Sequence, residues 1–248
     1  MTMLSSLHQN LNAAVIGASG GIGRSFVELL AADTAVQNVH AFSRSQVHWP
    51  AGKIHGHHID VIDEASIEDA AAIATANGPL DLVIVASGIL HRDPVIRPEK
   101  SLRDLNSRAL TEVLTVNTIG PALTAKHFLP KLRRKHKAVF AVLSARVGSI
   151  NDNRLGGWVS YRMSKAALNM FIRTASIEQA RNRTESIVVA LHPGTVETAL
   201  SDPFTRRLDS TKLFSPKNSA KKLLHVVNAL EPADSGSFFD YDNARIEF

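Results

Sequence analysis

The amino-acid sequence predicts an α/β fold, a doubly wound parallel β-sheet with helices on both of its faces. Short apolar runs alternate with longer helical patterns along the chain, and a glycine-rich turn joins the first run to the first helical pattern. Strands that alternate with helices in this way pair in parallel through right-handed connections. Several runs are rich in Val and Ile at successive positions, as expected for strands that helices cover on both sides.

Length and composition are those of one globular domain, which we predict to span residues 1–248. The chain has 248 residues, of which 44% are hydrophobic and 21% charged, and this is enough to bury a large core. No apolar run reaches the roughly 18 residues of a membrane-spanning helix. The absence of cysteine excludes disulfides and thiolate metal sites. Residues 1–10 lack the pattern of a secretory signal, so we expect a cytoplasmic protein.

Six short apolar runs predict buried strands, and a seventh run predicts a final strand near the C-terminus. The six runs are residues 13–16, 39–43, 54–59, 82–86, 138–143 and 187–191, and the last is residues 238–241. Helical patterns between them cover residues 22–32, 64–76, 101–129, 160–181 and 219–230. Asp63 is a suitable N-cap for the second helix, because its carboxylate can accept from the free N–H groups of the first turn.

Pro121 interrupts the long helical pattern 101–129. Proline has no N–H group, and its ring clashes with the carbonyl group four residues earlier, which here belongs to Asn117. The sequence therefore predicts a bend at Asn117 that leaves this carbonyl free.

The glycine-rich turn after the first strand contains Gly17, Gly21 and Gly23 in the spacing G-x-x-x-G-x-G. Glycine lets the backbone turn tightly and approach a pyrophosphate, and the helix that follows offers free N–H groups to phosphates. A P-loop is excluded, since Arg24 stands where its lysine belongs and Ala18 where its first glycine belongs. The position between strand and helix favours a dinucleotide site over a plain tight turn.

Ser43 and Arg44 end the second strand, where an acidic residue would bind the adenosine ribose of NAD(H). A guanidinium group instead binds a phosphate with paired donors. The sequence therefore favours NADP(H) over NAD(H), although Arg44 can also be read as an ordinary surface arginine.

Tyr161 and Lys165 are four residues apart within the helical pattern 160–181, so they share one helix face. A tyrosine with its ordinary pKa near 10 is a poor acid–base catalyst at neutral pH. A neighbouring ammonium group favours the phenolate and lowers that pKa. The pair is common by chance, and it gains meaning from the glycine turn.

Together these motifs resemble the short-chain dehydrogenase/reductase family over essentially the whole chain. The matching residues are Gly17–Gly23 in the turn, Asp60 and Val61, Asn117, Tyr161 and Lys165, and the stretch 192–198. Residues 146–150, Gly156 and Gly157 ahead of Tyr161, and the ending 236–242 resemble its carbonyl-reductase-like branch, which includes C-factor and sniffer-type proteins. The resemblance implies a Rossmann-type fold.

The resemblance implies a role for each matching residue. Tyr161 would be the acid/base, Lys165 would bind the nicotinamide ribose, and the Asn117 carbonyl would hold a water in the proton relay. The implied cofactor-binding residues also include Gly17, Ser19, Gly20, Gly21, Ile22, Gly23, Ser43, Arg44, Asp60, Val61, Ala86, Ser87, Gly88, Pro193, Gly194, Val196 and Thr198.

The chain departs from the family after the fifth strand, where a serine hydroxyl usually holds the substrate oxygen. Aligned on Gly148, that position is Ala145, whose methyl group forms no hydrogen bond. Ser144 is adjacent and is our substitute candidate for catalysis, although neighbouring side chains of a strand point to opposite faces.

Other partners are judged from charge and metal-ligand spacing. The formal net charge is +5, and the densest basic run, residues 131–137, follows a helical pattern. Cations suit a helix C-terminus, so we expect no nucleic-acid partner. His55, His57 and His58 share a strand without a carboxylate spaced to complete a metal site, and we expect no metal.

Three functional hypotheses follow. The first is an NADP(H)-dependent reductase that converts an aldehyde, ketone or quinone into an alcohol. The second is a catalytically impaired, C-factor-like regulatory protein that binds a dinucleotide, and the third is a scaffold without cofactor. Residues 89–98 and 146–157 and a short lid with Pro203, Phe204 and Leu208 would shape the substrate pocket. Helices 101–129 and 160–181 resemble those that pair between subunits, which implies a homodimer or homotetramer.

Overall fold

An eight-stranded sheet organises the computed structural model, which describes residues 2–182, 185–205 and 213–248. Its strands lie in the order β3-β2-β1-β4-β5-β6-β7-β8. All neighbouring strands are parallel except β7 and β8, which are antiparallel. The strands are β1 (Leu11–Ile16), β2 (Val36–Ser43), β3 (Ile54–His58), β4 (Leu82–Val85), β5 (Ala138–Leu143), β6 (Ser186–His192), β7 (Phe238–Asp240) and β8 (Arg245–Ile246).

Seven α-helices of the described residues flank this sheet. They are α1 (Gly21–Ala32), α2 (Glu64–Ala74), α3 (Ser107–Leu114), α4 (Gly120–Phe128), α5 (Val159–Arg181), α6 (Asp202–Thr205) and α7 (Pro216–Ala229). Two apolar cores separate the helices from the strands. Helices α1 and α7 pack on one face, and α2, α4 and α5 pack on the other.

Alternate residues of each central strand belong to different cores, because successive side chains of a strand point to opposite faces. In β1, for example, Ala13 and Val15 belong to the core under α1, and Ala14 and Ile16 belong to the core under α2. The doubly wound α/β fold predicted from the sequence is therefore confirmed. Strand order reverses between β1 and β4, and a ligand of such a sheet binds at the carboxyl ends of the strands on either side of that point.

The predicted elements agree with the observed ones to within a few residues in most places. Asp63 caps α2 as predicted, since its carboxylate accepts from the Ala65 backbone N–H at 3.1 Å. Strand β8 has only two residues and was not predicted. None of the helices in the described ranges is long and apolar enough to cross a membrane.

The predicted helix 101–129 is wrong in its first turns. A short 3₁₀ turn at Leu102–Asp104 precedes α3, which begins at Ser107 after the capping residue Asn106. Between α3 and α4 the chain forms a π-helical turn, Thr115–Ile119. The regular helix is thus interrupted around Asn117 as predicted, and the interruption takes the form of a π turn because Pro121 cannot donate to the helix.

The basic run 131–137 is partly used inside the fold. Arg133 donates from Nε to the buried Asp81 carboxylate at 2.5 Å. Lys137 Nζ donates to Ser6 Oγ at 2.7 Å and to the Asn228 carbonyl at 2.8 Å. These two cations therefore fasten the amino-terminal edge of the sheet.

Candidate active site

The glycine turn between β1 and α1 forms one side of a cleft at the carboxyl end of the sheet. Gly17 has a φ of +89°, and a Cβ atom at this residue would lie 2.7 Å from the Ser87 backbone nitrogen. A Cβ atom at Gly23 would lie 2.1 Å from the Gly17 carbonyl oxygen. Both positions therefore require glycine, because any side chain would force β1, the β4 end and α1 apart.

The N-terminus of α1 is open. Its N-cap residue is Gly20, no side chain caps the helix, and the first turn contains no acidic residue. The free N–H groups and the positive end of the helix dipole are therefore available to an anion.

The glycine turn, the end of β2 and the residues after β4 line one cleft of about 480 Å³. It contains the following residues of the sequence-predicted site: Gly17, Ser19, Gly20, Ser43, Arg44, Asp60, Val61, Ala86, Ser87 and Gly88. Sequence reasoning did not name Ser45, Ile59, Ile62, Glu112, Thr115 and Val116, which also line it, whereas the lining residues Ile89 and Arg92 belong to the stretch 89–98 predicted for the substrate pocket. Thr115 and Val116 lie just before Asn117 in the π turn, and this neighbourhood is the one signal that could have found them.

Two groups in this cleft are suited to a polar ligand. Arg44 is exposed and forms no ion pair with another described residue. The Ser87 hydroxyl is buried and has no hydrogen-bond partner within residues 2–182, 185–205 and 213–248. Ser43 differs, since its hydroxyl donates to the Ser45 carbonyl at 2.6 Å.

The predicted residues after β6 form a second wall rather than part of the same cleft. A Cβ atom at Gly21 would lie 3.1 Å from Thr198 Cγ2, so this wall contacts the glycine turn. The Pro193 carbonyl accepts from Ser219 Oγ at 2.7 Å, and Val196 is buried. Gly194 has a φ of +77° and lies tightly against Phe214 and Tyr241.

Tyr161 and Lys165 lie on the first turns of α5 and face the end of β5. Lys165 is buried, and its Nζ donates to the Leu143 carbonyl at 2.8 Å. Nζ also lies 5.8 Å from the centroid of the Tyr161 ring. Burial lowers the pKa of Lys165 to about 8 and raises the pKa of the half-buried Tyr161 to about 12, because the surrounding protein atoms disfavour charge. The lower tyrosine pKa expected from the Tyr161–Lys165 spacing is therefore not found.

Asn117 is fully buried and joins α5 to the loop after β4. Its Oδ1 accepts from the Ile89 N–H at 2.7 Å, and its Nδ2 donates to the Ile89 carbonyl at 2.8 Å. Nδ2 also donates to Ser164 Oγ at 3.1 Å. The Asn117 side chain thus links α5 to the loop after β4. The role that the family resemblance implies for Asn117 belongs to its backbone carbonyl in the π turn.

The structure does not support a catalytic role for Ser144. Its hydroxyl is buried and donates to Asn169 Oδ1 on α5 at 2.7 Å. Ala145 is the next residue, is partly exposed and begins the turn Arg146–Gly148. Ser149 is also buried, and its Oγ accepts from the Asp152 N–H at 3.1 Å. The alternation expected of neighbouring residues along a strand explains why Ser144 points away.

The Trp158 ring joins Tyr161 to a cluster of aromatic rings. The Trp158 ring lies edge-on to the Tyr161 ring at 6.4 Å and to the Phe204 ring at 5.0 Å. His91 lies 5.6 Å from Phe204, so the predicted lid residue Phe204 completes an aromatic cluster. Leu208 lies outside the described residues.

The histidines of β2 and β3 form a cluster at the edge of the sheet. His40 Nδ1 lies 3.3 Å from His57 Nε2, and burial lowers the pKa of His40 to about 4. Within residues 2–182, 185–205 and 213–248, no group of three or more His, Asp or Glu side chains is arranged to hold a metal ion.

Comparison with known proteins identifies the family of this chain. The family described as short chain dehydrogenase matches residues 11–209. The chain belongs to this family. Among curated relatives, C-signal of Myxococcus xanthus is 35% identical over 178 residues, which are 71% of this chain and 98% of the relative. The 1-hydroxy-2-glutathionyl-2-methyl-3-butene dehydrogenase of Rhodococcus sp. (strain AD45) is 30% identical, with 77% of this chain and 78% of the relative covered.

Solved structures agree with this family membership. NADPH-bound carbonyl reductase from chicken fatty liver has 29% sequence identity and a TM-score of 0.82, covering 98% of this chain and 100% of that chain. Carbonyl reductase Sniffer of D. melanogaster has a TM-score of 0.80 at 22% identity, covering 97% and 100%, which shows the shared fold. The chain is therefore an oxidoreductase of the carbonyl-reductase-like branch of the short-chain dehydrogenases.

Proposed function

We propose that this short-chain dehydrogenase is an NADP(H)-dependent reductase that converts an aldehyde, ketone or quinone into an alcohol. The observation that carries the proposal is the pairing of Tyr161 with the buried Lys165 at the end of β5. Both side chains lie on the helix that closes the carboxyl end of the sheet, where ligands of this fold bind.

The cleft residues fit a dinucleotide phosphate. The glycine turn and the open N-terminus of α1 suit its pyrophosphate, and the unpaired Arg44 suits a ribose phosphate. Asp60, Val61 and the stretch Ala86 to Gly88 line the same cleft. The unpartnered Ser87 hydroxyl offers a further hydrogen bond. NADPH in the similar chicken carbonyl reductase supports NADP(H) here as well.

Tyr161 acts as the acid in the reductive direction. When bound, NADPH supplies the hydride that reaches the carbonyl carbon. The pKa of Tyr161, raised to about 12 by burial, keeps its Oη protonated at neutral pH. Oη can therefore donate a hydrogen bond to the carbonyl oxygen and then transfer its proton, so that the oxygen becomes the alcohol hydroxyl.

Lys165 stabilises the phenolate that remains after this transfer. Its pKa of about 8 leaves it mostly protonated at pH 7, and its Nζ is held in place by the Leu143 carbonyl. An ammonium group close to the ring favours the charged form of tyrosine. Lys165 has further N–H donors, which suit a ribose hydroxyl and the water relay implied for the Asn117 carbonyl.

The missing serine lowers the expected rate. Loss of one hydrogen bond to a developing oxyanion costs about 2.7–4 kcal/mol of transition-state stabilisation, and Ala145 supplies no donor. The reaction then depends on the Tyr161 hydroxyl alone for contact with the substrate oxygen.

The alanine at position 145 also favours a second function, dinucleotide binding with impaired catalysis. The neighbouring hydroxyl, that of Ser144, donates to Asn169 Oδ1. The name of the Myxococcus xanthus relative, C-signal, supports a signal role for this second function. Binding of NADPH without turnover would be its signature.

One experiment separates the two functions. NADPH oxidation is followed over a panel of aldehydes, ketones and quinones for the wild type, Ala145→Ser and Tyr161→Phe. The reductase proposal expects wild-type turnover that disappears in Tyr161→Phe and increases in Ala145→Ser. A silent wild type that still binds NADPH, with turnover appearing in Ala145→Ser, would support the second function. A wild type that does not bind NADPH would point to a scaffold.

The assembly we propose is a homodimer or homotetramer through α5. Met163, Met170 and Ile177 recur every seventh residue, so they share one helix face, and their side chains are 46%, 68% and 44% exposed. Covering this stripe with a second copy would remove apolar surface from water. Light scattering of the wild type and of Met170→Glu tests the assembly, since a charge in the stripe would shift the protein toward monomer.

A further inference from the structure

A buried carboxylate, Glu99, lies at the N-terminus of α5. Glu99 is only 5% exposed and belongs to the loop between β4 and α3. It forms no ion pair with another described residue. Burial of an unpaired carboxylate is unfavourable unless hydrogen bonds and local dipoles compensate for the lost water. The surroundings of Glu99 provide both.

Glu99 supplies the helix cap that α5 itself lacks. The N-cap residue of α5 is Trp158, which makes no side-chain capping bond. The Glu99 carboxylate accepts from the Ser160 backbone N–H at 3.2 Å and also from the Ser160 hydroxyl. Its backbone carbonyl accepts from the Trp158 N–H at 2.6 Å. A negative charge at this end is also favoured by the dipole of α5.

The backbone that Glu99 holds is strained. Gly156, Gly157 and Trp158 have φ angles of +62°, +66° and +50°. Left-handed conformation is ordinary for glycine and unfavourable for a bulky residue such as Trp158. Such a conformation persists only where surrounding contacts fix it, and the bond from Trp158 to Glu99 is one of these contacts.

Tyr161 follows directly on this segment. The residues that Glu99 binds, Trp158 and Ser160, precede Tyr161 by three positions and by one. The Trp158 ring also packs edge-on against the Tyr161 ring. The direction of the phenol hydroxyl therefore depends on the first turn of α5, which Glu99 fixes.

We propose that Glu99 is a positioning residue that orients the first turn of α5, and with it Tyr161 and the Trp158 ring. It also joins the substrate loop to this turn, since it directly follows the stretch 89–98 predicted to shape the pocket. The activity arm of this proposal rests on the proposed reductase function, whereas the orientation of Trp158 does not.

The variants are Glu99→Gln, Ser160→Ala and the control Asp104→Asn. Glu99→Gln keeps the shape of the side chain but places an NH₂ group against one of two donors. Ser160→Ala removes the hydroxyl donor alone. Asp104 also caps a turn in the same loop, through the N–H groups of Lys100 and Ser101, but it caps the 3₁₀ turn Leu102–Asp104 rather than α5.

The first measurement is the emission of Trp158. The chain has two tryptophans, so a Trp49→Phe background leaves Trp158 as the reporter. We expect a changed emission maximum and increased quenching by acrylamide in Glu99→Gln and, more weakly, in Ser160→Ala, with no change in Asp104→Asn. Unchanged Trp158 emission in both test variants would overturn the proposal.

The second measurement is steady-state kinetics. We expect kcat to fall about 10–100-fold in Glu99→Gln with the KM for NADPH unchanged, because misplacement of a reacting group by about 1 Å has this effect and the glycine turn is untouched. Glu99→Asp should recover part of the loss. A changed emission with wild-type kcat would refute the link to Tyr161. If the wild type has no reductase activity, the proposed function fails and Trp158 emission alone decides the role of Glu99.

Discussion

Helices α1 and α5 both begin at the carboxyl end of the sheet, but their N-termini differ: no side chain caps α1, whereas a carboxylate from another loop caps α5. The start of α1 has a glycine N-cap, no capping side chain and no acidic residue in its first turn. The start of α5 is filled by the buried Glu99 carboxylate. Free N–H groups attract an anion, and those of α5 already have one.

The difference separates binding from chemistry. The open start of α1 is available to a ligand phosphate, and the close approach of Gly17 and Gly23 leaves room for it. The start of α5 is occupied by Glu99, which we propose to position Tyr161.

The largest effect is expected for Tyr161→Phe, which removes the chemistry of α5 and nothing else. General acid catalysis contributes about 10²–10⁴-fold, so kcat should fall by a factor in this range while the Kd for NADPH stays the same. Turnover and fluorescence titration with NADPH measure the two quantities. A Phe variant with more than a tenth of wild-type kcat would show that another group donates the proton.

Gly20→Asp would place a carboxylate at the N-terminus of α1, as Glu99 does at α5. Gly20 has an extended backbone, and a Cβ atom there would make only an ordinary contact with the Gly17 carbonyl oxygen at 3.4 Å. The carboxylate should cap α1 and raise the free energy of unfolding by a few tenths of a kcal/mol. It should weaken NADPH binding about 100-fold, because opposed like charges cost several kcal/mol.

Gly20→Asn is the matched control for this change. Its neutral amide caps the helix equally well and lacks the charge. Calorimetric titration with NADPH should find that Asn retains most of the wild-type affinity. Equal losses in Asp and Asn would mean that the side chain blocks the cleft by its size.

Lys165→Met tests what the buried cation of α5 costs in stability. Burial lowers the pKa of Lys165 from 10.5 to about 8, so between these values the unfolded chain binds more protons than the folded one. The free energy of unfolding should therefore rise with pH in the wild type from about 8 to 10.5. In Lys165→Met this rise should be absent, and the free energy of unfolding at pH 7 should be about 1–2 kcal/mol higher than in the wild type. The variant should also lose activity.

Denaturant unfolding as a function of pH measures this effect. Lys135→Met, a change of an exposed lysine, is the control and should leave the pH dependence of the wild type unchanged. A Lys165→Met variant that is less stable than the wild type at pH 7 would contradict the prediction.

The smallest effect is expected for Arg44→Ala, which concerns only the far end of the open site. Loss of hydrogen bonds to a charged phosphate costs about 1.5–3 kcal/mol, and exposure places this residue at the lower limit. The Kd for NADPH should rise about 10-fold and that for NADH should stay constant. The control Arg134→Ala, which lies before the start of β5 at the other end of the sheet, should change neither Kd. Equal losses of affinity for both cofactors in Arg44→Ala would remove the argument for NADP(H).

The fold was accessible from the sequence because burial on both faces leaves a clear pattern. The run 138–143 coincides with β5 (Ala138–Leu143), since every one of its side chains is buried. The helix 101–129 was predicted to begin too early, since α3 starts at Ser107. Pro121 predicted the interruption at Asn117, but apolar periodicity cannot distinguish a π turn from an α turn. Strand β8 is too short to form any pattern.

The site was accessible where its residues form local motifs. Gly17, Gly23, Tyr161 and Lys165 each belong to a spacing that chemistry explains. Glu99 was missed because its partner Ser160 lies 61 residues away in sequence, and no local pattern marks a contact of this kind. The sequence could not show the direction of the Ser144 hydroxyl, which in the structure donates to Asn169 Oδ1.

The π turn Thr115–Ile119 has a consequence for related chains. A π turn contains one residue more than an α turn, so it is an insertion carried inside a helix. Removing one of its residues would rotate α4 by about 100° relative to α3 and turn Gly120 away from Val61, whose carbonyl oxygen would lie 2.8 Å from a Cβ atom at Gly120. A homologue without the π turn must therefore be aligned with its gap in mid-helix, where alignments are ordinarily kept continuous.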